Sequence, residues 1–253
     1  MIRAGLYTGL FYLISALFLV LGSWLLLGPR SWAMKSLELH GRTCLWLLEK
    51  IVGTRLEVRG RENLPDGAAL VASKHQSAWD TFGLVPLLRD PAIVMKRELF
   101  WIPFYGWFSA KFGMIFVHRE AGPAALRRMA RDAEDRALQG RHILIFPEGT
   151  RREPGAEPAY QPGALFLYDR LGLPCVPVAL NTGLFWPRRS LRRYPGTIIV
   201  EFLAPIPPGL PRKTFAKRLE RAIETASDAL ILEAAHSAHP PPIPESAAAR
   251  LGI

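Results

Sequence analysis

Two loops in the sequence carry side chains that can do chemistry. The first is Ser73-Lys74-His75-Gln76-Ser77-Ala78-Trp79-Asp80, in which a histidine and an aspartate stand five residues apart. An imidazole with an ordinary pKa near 6.5 suits general-base work at neutral pH. Five residues turn an α-helix through about 500°, so on one regular helix the pair would point in different directions. For the two to interact, His75 must lie on a loop and Asp80 in the first turn of the helix that follows. The same stretch has a structural reading: Ser77-x-x-Asp80 fits a capping box, with Ser77 as the cap. The second loop is Phe146-Pro147-Glu148-Gly149-Thr150-Arg151. Its proline and glycine punctuate a turn, and a plain turn would leave Glu148 solvated. Arg151 and Arg152 would stand at a strand end, placed to hold a phosphate by charge-assisted hydrogen bonds.

These loops need elements to position them. Short β-rich runs are expected at Arg55–Arg59, Ala68–Ala72, Ala92–Met95, Met114–Val117, Ile143–Phe146, Cys175–Leu180 and Thr197–Phe202. Helical periodicity falls between them at Thr81–Leu88, Phe104–Phe112, Ala124–Gln139, Gly163–Leu171 and Arg212–Ala235. The alternation predicts an α/β domain over residues 53–236, with a central, partly parallel sheet flanked by helices. In such sheets sites gather where strands end and loops begin, and both loops follow an expected strand.

Residues 1–52 read as a membrane-associating helical pair ahead of this domain. Leu6–Leu27 contains no charged side chain, and its 22 residues would reach about 33 Å as a helix, enough for a hydrocarbon core. A signal peptide is the alternative, but the apolar run is too long and lacks a small-x-small cleavage site. Trp32–Val52 carries an apolar stripe and a separate face with Lys35, Arg42 and Glu49. It suits either a membrane surface or packing against the main domain. Arg30, Lys35, Arg42 and Lys50 follow the apolar run, which by the positive-inside rule puts the main domain in the cytoplasm. Residues 237–253 form a proline-rich tail expected to be extended or flexible.

Composition limits the classes further. The chain has 253 residues, 49% of them hydrophobic, which excludes disorder for its bulk. Its two cysteines, Cys44 and Cys175, rule out a disulfide scaffold and suit a reducing compartment. Cys175 and Ser77 are weak nucleophile candidates, one in an apolar strand and the other a helix cap, and no G-x-S-x-G elbow is present. The histidines show no metal-ligand spacing. Net charge is +10, of which Arg188–Arg221 supplies +7 through nine basic and two acidic residues. This run predicts a patch for anionic headgroups or an acidic donor, or simply a solvated face. No nucleic-acid-binding motif accompanies the charge.

Taken together, His75-x-x-x-x-Asp80 and Pro147-Glu148-Gly149-Thr150-Arg151 resemble the two signature motifs of the glycerolipid acyltransferase family. Gly113-Met114-Ile115-Phe116-Val117-His118-Arg119 and Val176-Pro177-Val178 resemble two further blocks, in the family's order and spacing. The resemblance covers about Leu70 to Asn181. It implies transfer of a fatty acyl group from a thioester to a hydroxyl of a glycerol phosphate lipid. The default is the sn-2 hydroxyl of lysophosphatidic acid, giving phosphatidic acid in phospholipid biosynthesis; glycerol 3-phosphate or another lysolipid is the alternative acceptor. His75 is then the base, and Asp80 orients its ring in a direct transfer without an acyl-enzyme. Arg119 and Arg151 hold the acceptor phosphate, and Glu148, Gly149 and Thr150 shape the acceptor loop. The implied partners are acyl-CoA or acyl carrier protein as donor substrate, and anionic lipids of a bacterial-type inner membrane; no resident cofactor, metal or nucleic acid is expected. The sequence departs from the pattern at Lys74, where many members have Asn, and at His118, where Asp is frequent. Lys74 would then add charge beside the base or be merely solvated. A membrane-tethered nucleic-acid binder and a non-catalytic scaffold are the readings from other classes.

Overall fold

The computed structural model describes residues 2–118 and 122–253. It opens with a helical hairpin, α1 (Ile2–Leu21) and α2 (Arg30–Leu47). The α/β domain then runs through β1 (Thr54–Arg59), β2 (Ala69–Ser73), α3 (Asp80–Gly83), β3 (Ala92–Lys96), α4 (Tyr105–Lys111), β4 (Ile115–Val117), α5 (Gly122–Ala137) and β5 (His142–Ile145). It continues with α6 (Pro162–Leu171), β6 (Cys175–Leu180), α7 (Thr182–Phe185), β7 (Gly196–Phe202), α8 (Arg212–Ala235) and α9 (Glu245–Leu251). The strands form one sheet in the order β1-β7-β6-β2-β5-β3-β4. β6, β2, β5, β3 and β4 are mutually parallel, whereas β7 runs antiparallel to β6 and pairs in parallel with β1.

The burial pattern explains the order. Every residue of β2, β5 and β6 is buried, as expected of central strands with helices on both faces. Their carboxyl ends lie side by side, and from these ends leave the loops after Ser73, Ile145 and Leu180. Each expected strand lies within a residue or so of an observed one. The helix expected at Thr81–Leu88 instead divides into α3 and a 3-10 turn at Val85–Leu87, because Pro86 has no N–H to continue an α-helix.

The apolar N-terminal run is not one continuous span. α1 ends at Leu21, and a 3-10 turn at Ser23–Leu26 reverses the chain before Pro29 opens α2. α1 remains the one described helix long and apolar enough to cross a membrane. Its first half, however, is seated on protein. Tyr7 is fully buried and meets Trp186 edge-on at 5.6 Å, while Phe11 packs on Phe82 and Trp186 at 5.2 and 5.5 Å. Arg30, at the start of α2, grips Asp90 with two hydrogen bonds of 2.8 and 2.6 Å. The second helix packs on the main domain through one face: Ala33, Gly41 and Cys44 are buried, while Trp32, Leu39 and Trp46 are exposed.

Two expectations fail. The tail does not hang free: Pro240–Pro244 is extended, but the chain then folds into α9, whose Ala247 is fully buried. Nor is the basic run one patch. Tyr194 donates to the Phe185 carbonyl, which places Arg188–Arg193 by the carboxyl end of β6. The 206–212 segment lies at the opposite end, where Ile206 bridges Cys175 and Arg212 pairs with Asp169. Arg193 is also no surface charge: it is buried with its guanidinium 3.9 Å above the Trp186 ring, and burial pushes its pKa down to about 10.

Candidate active site

The site forms where β2, β5 and β6 end. Immediately after β2, the chain turns sharply so that the carboxylate of Asp80 closes back on the residues before it. Asp80 Oδ2 accepts hydrogen bonds from His75 Nδ1 and from the backbone N–H groups of Gln76 and Ser77, each at 2.8 Å. Oδ1 accepts from the hydroxyl of Thr182 at 2.6 Å, across from the end of β6. The Asp80 side chain is wholly buried. The capping-box reading and the His–Asp reading are therefore one set of hydrogen bonds: the bond from the Ser77 N–H is the reciprocal half of such a box. Ser77 itself is buried, and its hydroxyl accepts from the Trp79 N–H at 3.2 Å.

The other face of the site fixes the imidazole ring. His75 stacks on Phe146 at 4.0 Å between centroids, with 21° between the planes. With Nδ1 bound to a carboxylate, Nε2 is the nitrogen left for a reaction, and it has no hydrogen-bond partner among the described residues. The His75 side chain is 12% exposed, so a reactant reaches the ring at one edge only.

The second loop is locked to the first. The Arg152 N–H donates to the carbonyl of His75 at 2.8 Å, and Gly149 closes a turn onto the Phe146 carbonyl at 2.9 Å. Gly149 has φ +67°, a left-handed value that favours glycine. Thr150 and Arg151 are exposed, and Arg151 makes no ion pair among the described residues. Gly149 therefore forms the turn, and Arg151 follows it on the surface. Arg119, the other phosphate-binding candidate, lies outside the described residues.

Neither Glu148 nor Lys74 is solvated. Glu148 is not open to an acceptor: its side chain is 0% exposed and binds Lys74 Nζ at 3.0 Å. Lys74 is neither solvated nor free. It is 2% exposed and also pairs with Glu224 of α8 at 2.7 Å. Tyr160 donates to Glu224 at 2.9 Å, and Arg250 of α9 stands 3.6 Å from the other Glu224 oxygen and 2.9 Å from Asp228. Burial pushes the Glu148 carboxyl above its ordinary range, and Lys74 opposes that shift. Removing one member of such a buried pair costs about 3–5 kcal/mol, because the other charge is left uncompensated.

Sequence reasoning did not reach Thr182, Phe146 as a stacking partner, or Glu224, Tyr160 and Arg250. A groove of about 350 Å³ opens further along the same sheet edge, lined by Arg97, Phe100, Phe116, His118, Arg128 and Asp132. It lies beyond β5, three strand spacings or about 14 Å from the end of β2. Cys175 is fully buried, and burial pushes its thiol pKa upward, so it is not poised as a nucleophile. Among the described residues no group of histidine, cysteine, aspartate and glutamate side chains could hold a metal ion.

A parallel-stranded α/β domain with a His–Asp pair at one strand end and an arginine-bearing turn at the next defines a class. The sequence profile of the acyltransferase family matches residues 55–181, from β1 to the end of β6. The chain belongs to that family. It is 40% identical over 159 residues to the 1-acyl-sn-glycerol-3-phosphate acyltransferase of Pseudomonas aeruginosa, covering 63% of this chain and 62% of that protein. It is 30% identical over 169 residues to the human 1-acyl-sn-glycerol-3-phosphate acyltransferase alpha, covering 66% and 60%. The matches span about three fifths of the length of these curated relatives. The fold resembles the crystal structure of the 1-acyl-sn-glycerophosphate (LPA) acyltransferase PlsC from Thermotoga maritima, with a TM-score of 0.75 and 23% identity over 90% of this chain and 94% of that one.

Asp80→Ala would orphan three N–H donors and the Thr182 hydroxyl in a buried setting. The expected loss of stability is about 3–6 kcal/mol, read as a shift of the urea midpoint. Asp80→Asn keeps one acceptor oxygen and should lose less than half as much.

Proposed function

We propose that the protein transfers a fatty acyl group from an acyl thioester to the sn-2 hydroxyl of 1-acylglycerol 3-phosphate, making phosphatidic acid. The observation that carries this reading is the His75 ring, bound at Nδ1 to Asp80 with Nε2 left unpartnered among the described residues, on a loop that the Arg152 N–H ties to the turn bearing Arg151. An alcohol is a poor nucleophile at neutral pH, and a base must take its proton as it attacks. Nε2 of His75 accepts that proton, and Asp80 stabilises the imidazolium that results. The hydroxyl then adds to the thioester carbonyl, the tetrahedral intermediate collapses, and the proton passes from Nε2 to the departing thiolate. The nucleophile belongs to the substrate, so no acyl-enzyme forms. This fits the two nucleophile candidates: Ser77 is buried, and Cys175 is buried at the far end of β6 from the site.

Arg151 grips the acceptor phosphate in this reading, together with Arg119, and Gly149 and Thr150 shape the turn that presents it. The donor is acyl-CoA or acyl carrier protein, a substrate rather than a resident cofactor.

The reaction takes place at a membrane surface on the cytoplasmic side. Leu13, Leu17 and Leu21 on α1, Trp24 and Leu27 at the hairpin turn, and Trp32, Leu39 and Trp46 on α2 are all exposed. Trp101, Ile102 and Trp107 extend this apolar surface around α4, which touches both α2 and the hairpin turn. Apolar area of this size, edged with tryptophans, suits a hairpin seated in the interface. A fully spanning α1 fits less well, because Tyr7 and Phe11 are already engaged by the α/β domain.

Purified protein given lysophosphatidic acid and either donor should yield phosphatidic acid by mass spectrometry. His75→Ala should lower kcat/KM by about 10²–10⁴ without changing the melting temperature by more than a few degrees. Full activity in that variant would exclude His75 as the base. In vesicle sedimentation, Trp24→Ser with Leu27→Ser should reduce the bound fraction several-fold, whereas Leu138→Ser, an exposed position just after α5, should leave it unchanged.

A further inference from the structure

The 147–161 segment that carries Arg151 has no regular secondary structure, yet it is held at its base and at its far side by residues from the end of the chain. At the base, Glu148 reaches Lys74, Lys74 reaches Glu224, and Arg250 of α9 approaches Glu224 at 3.6 Å. On the far side, Ser246 donates to the Pro154 carbonyl at 2.8 Å. Backbone meets backbone at Gly155: a β-carbon there would fall 2.2 Å from Cα of Ala247. The loop's own bonds are few, namely the turns at Phe146–Gly149 and Glu153–Ala156 and the closure from Gln161 to the Pro147 carbonyl. A segment of this length without internal structure samples many conformations unless external contacts select one.

We propose that α9 and the charge chain Arg250–Glu224–Lys74–Glu148 form a clasp that positions the Arg151 turn against His75. The clasp deepens the acyltransferase reading above and rests on it for the consequence in turnover. Arg250 is a positioning residue, as are Lys74 and Glu224; none of them touches the reacting atoms. Lys74 adjoins His75 in sequence, so the chain connects the two motif loops through side chains as well as through the bond from the Arg152 N–H to the His75 carbonyl. Lys74 lies between the carboxylates of Glu148 and Glu224, and Arg250, bonded to Asp228 at 2.9 Å, brings a second cation within 3.6 Å of Glu224. The replacement of Asn by Lys before the motif histidine is thereby matched by an acidic partner on α8 and a basic one on α9.

The test uses the full chain and the variants Arg250→Gln and Arg250→Lys, with hydrogen exchange and steady-state kinetics on lysophosphatidic acid. Arg250 is partly exposed, so both variants should fold, as a thermal melt will confirm. In Arg250→Gln, amides of residues 149–156 should exchange at least 10-fold faster while those of β2 and β6 keep their protection. The KM for the acceptor should rise at least 5-fold, with the donor KM changing less than 2-fold. Arg250→Lys should recover most of both effects. Unchanged exchange at 149–156 would overturn the clasp, as would equal acceleration across β2 and β6, which would mean general support of the fold. If the wild-type protein turns over no lysolipid, the acyltransferase reading fails, and the exchange result still decides the clasp.

Discussion

The site depends on one buried carboxylate. Asp80 has four donors on two oxygens, and no water is needed to satisfy it. Two of the donors are backbone N–H groups of the residues between His75 and Asp80, so the carboxylate bends its own chain into the turn that brings the histidine within reach. The third is the imidazole itself, and the fourth ties the turn to the end of β6. Orientation of the base and local folding are therefore the same interaction. A buried carboxylate without such partners would be costly; here the donors offset its desolvation and hold the ring in a single tautomer.

The surroundings of this carboxylate are stiff because the strands beneath it are. β2, β5 and β6 are buried along their length and are adjacent in the sheet, which fixes the origins of three loops within about 10 Å of one another. The stacking of His75 on Phe146 links the first loop to the second. The hairpin anchors from the opposite direction: Phe11 and Tyr7 rest on Phe82 and Trp186, the first of these in α3, the helix that begins with Asp80. The exposed apolar surface and the His75 ring are thus tied to one continuous core, and the position of the site relative to the apolar face is set by folding.

The legible part of this architecture was local. Apolar runs of four to six residues marked the strands, because central parallel strands are buried on both faces. His75, Asp80 and the 147–151 turn were visible because each motif is short and contiguous. What escaped was long-range pairing. Thr182 lies 102 residues from Asp80, Glu224 lies 150 residues from Lys74, and Arg250 follows an extended proline segment. No spacing rule reports such contacts. The solvated readings of Lys74 and Glu148 failed for that reason: each is the other's buried partner. The basic run Arg188–Arg221 misled in a related way. Its two halves are close in sequence, but a whole strand lies between them, and β7 carries them to opposite ends of β6.

The central claim is that Asp80 holds His75 with Nδ1 protonated and Nε2 free to act as base. It is tested most directly by ¹⁵N NMR of the histidine-labelled protein in detergent at pH 8, with His75→Ala used to assign the signal. The account predicts a protonated Nδ1 and an unprotonated Nε2 for His75. Asp80→Asn should disturb this pattern, because an amide oxygen replaces the carboxylate. A His75 ring protonated at Nε2, or one whose signals are indifferent to Asp80→Asn, would contradict it.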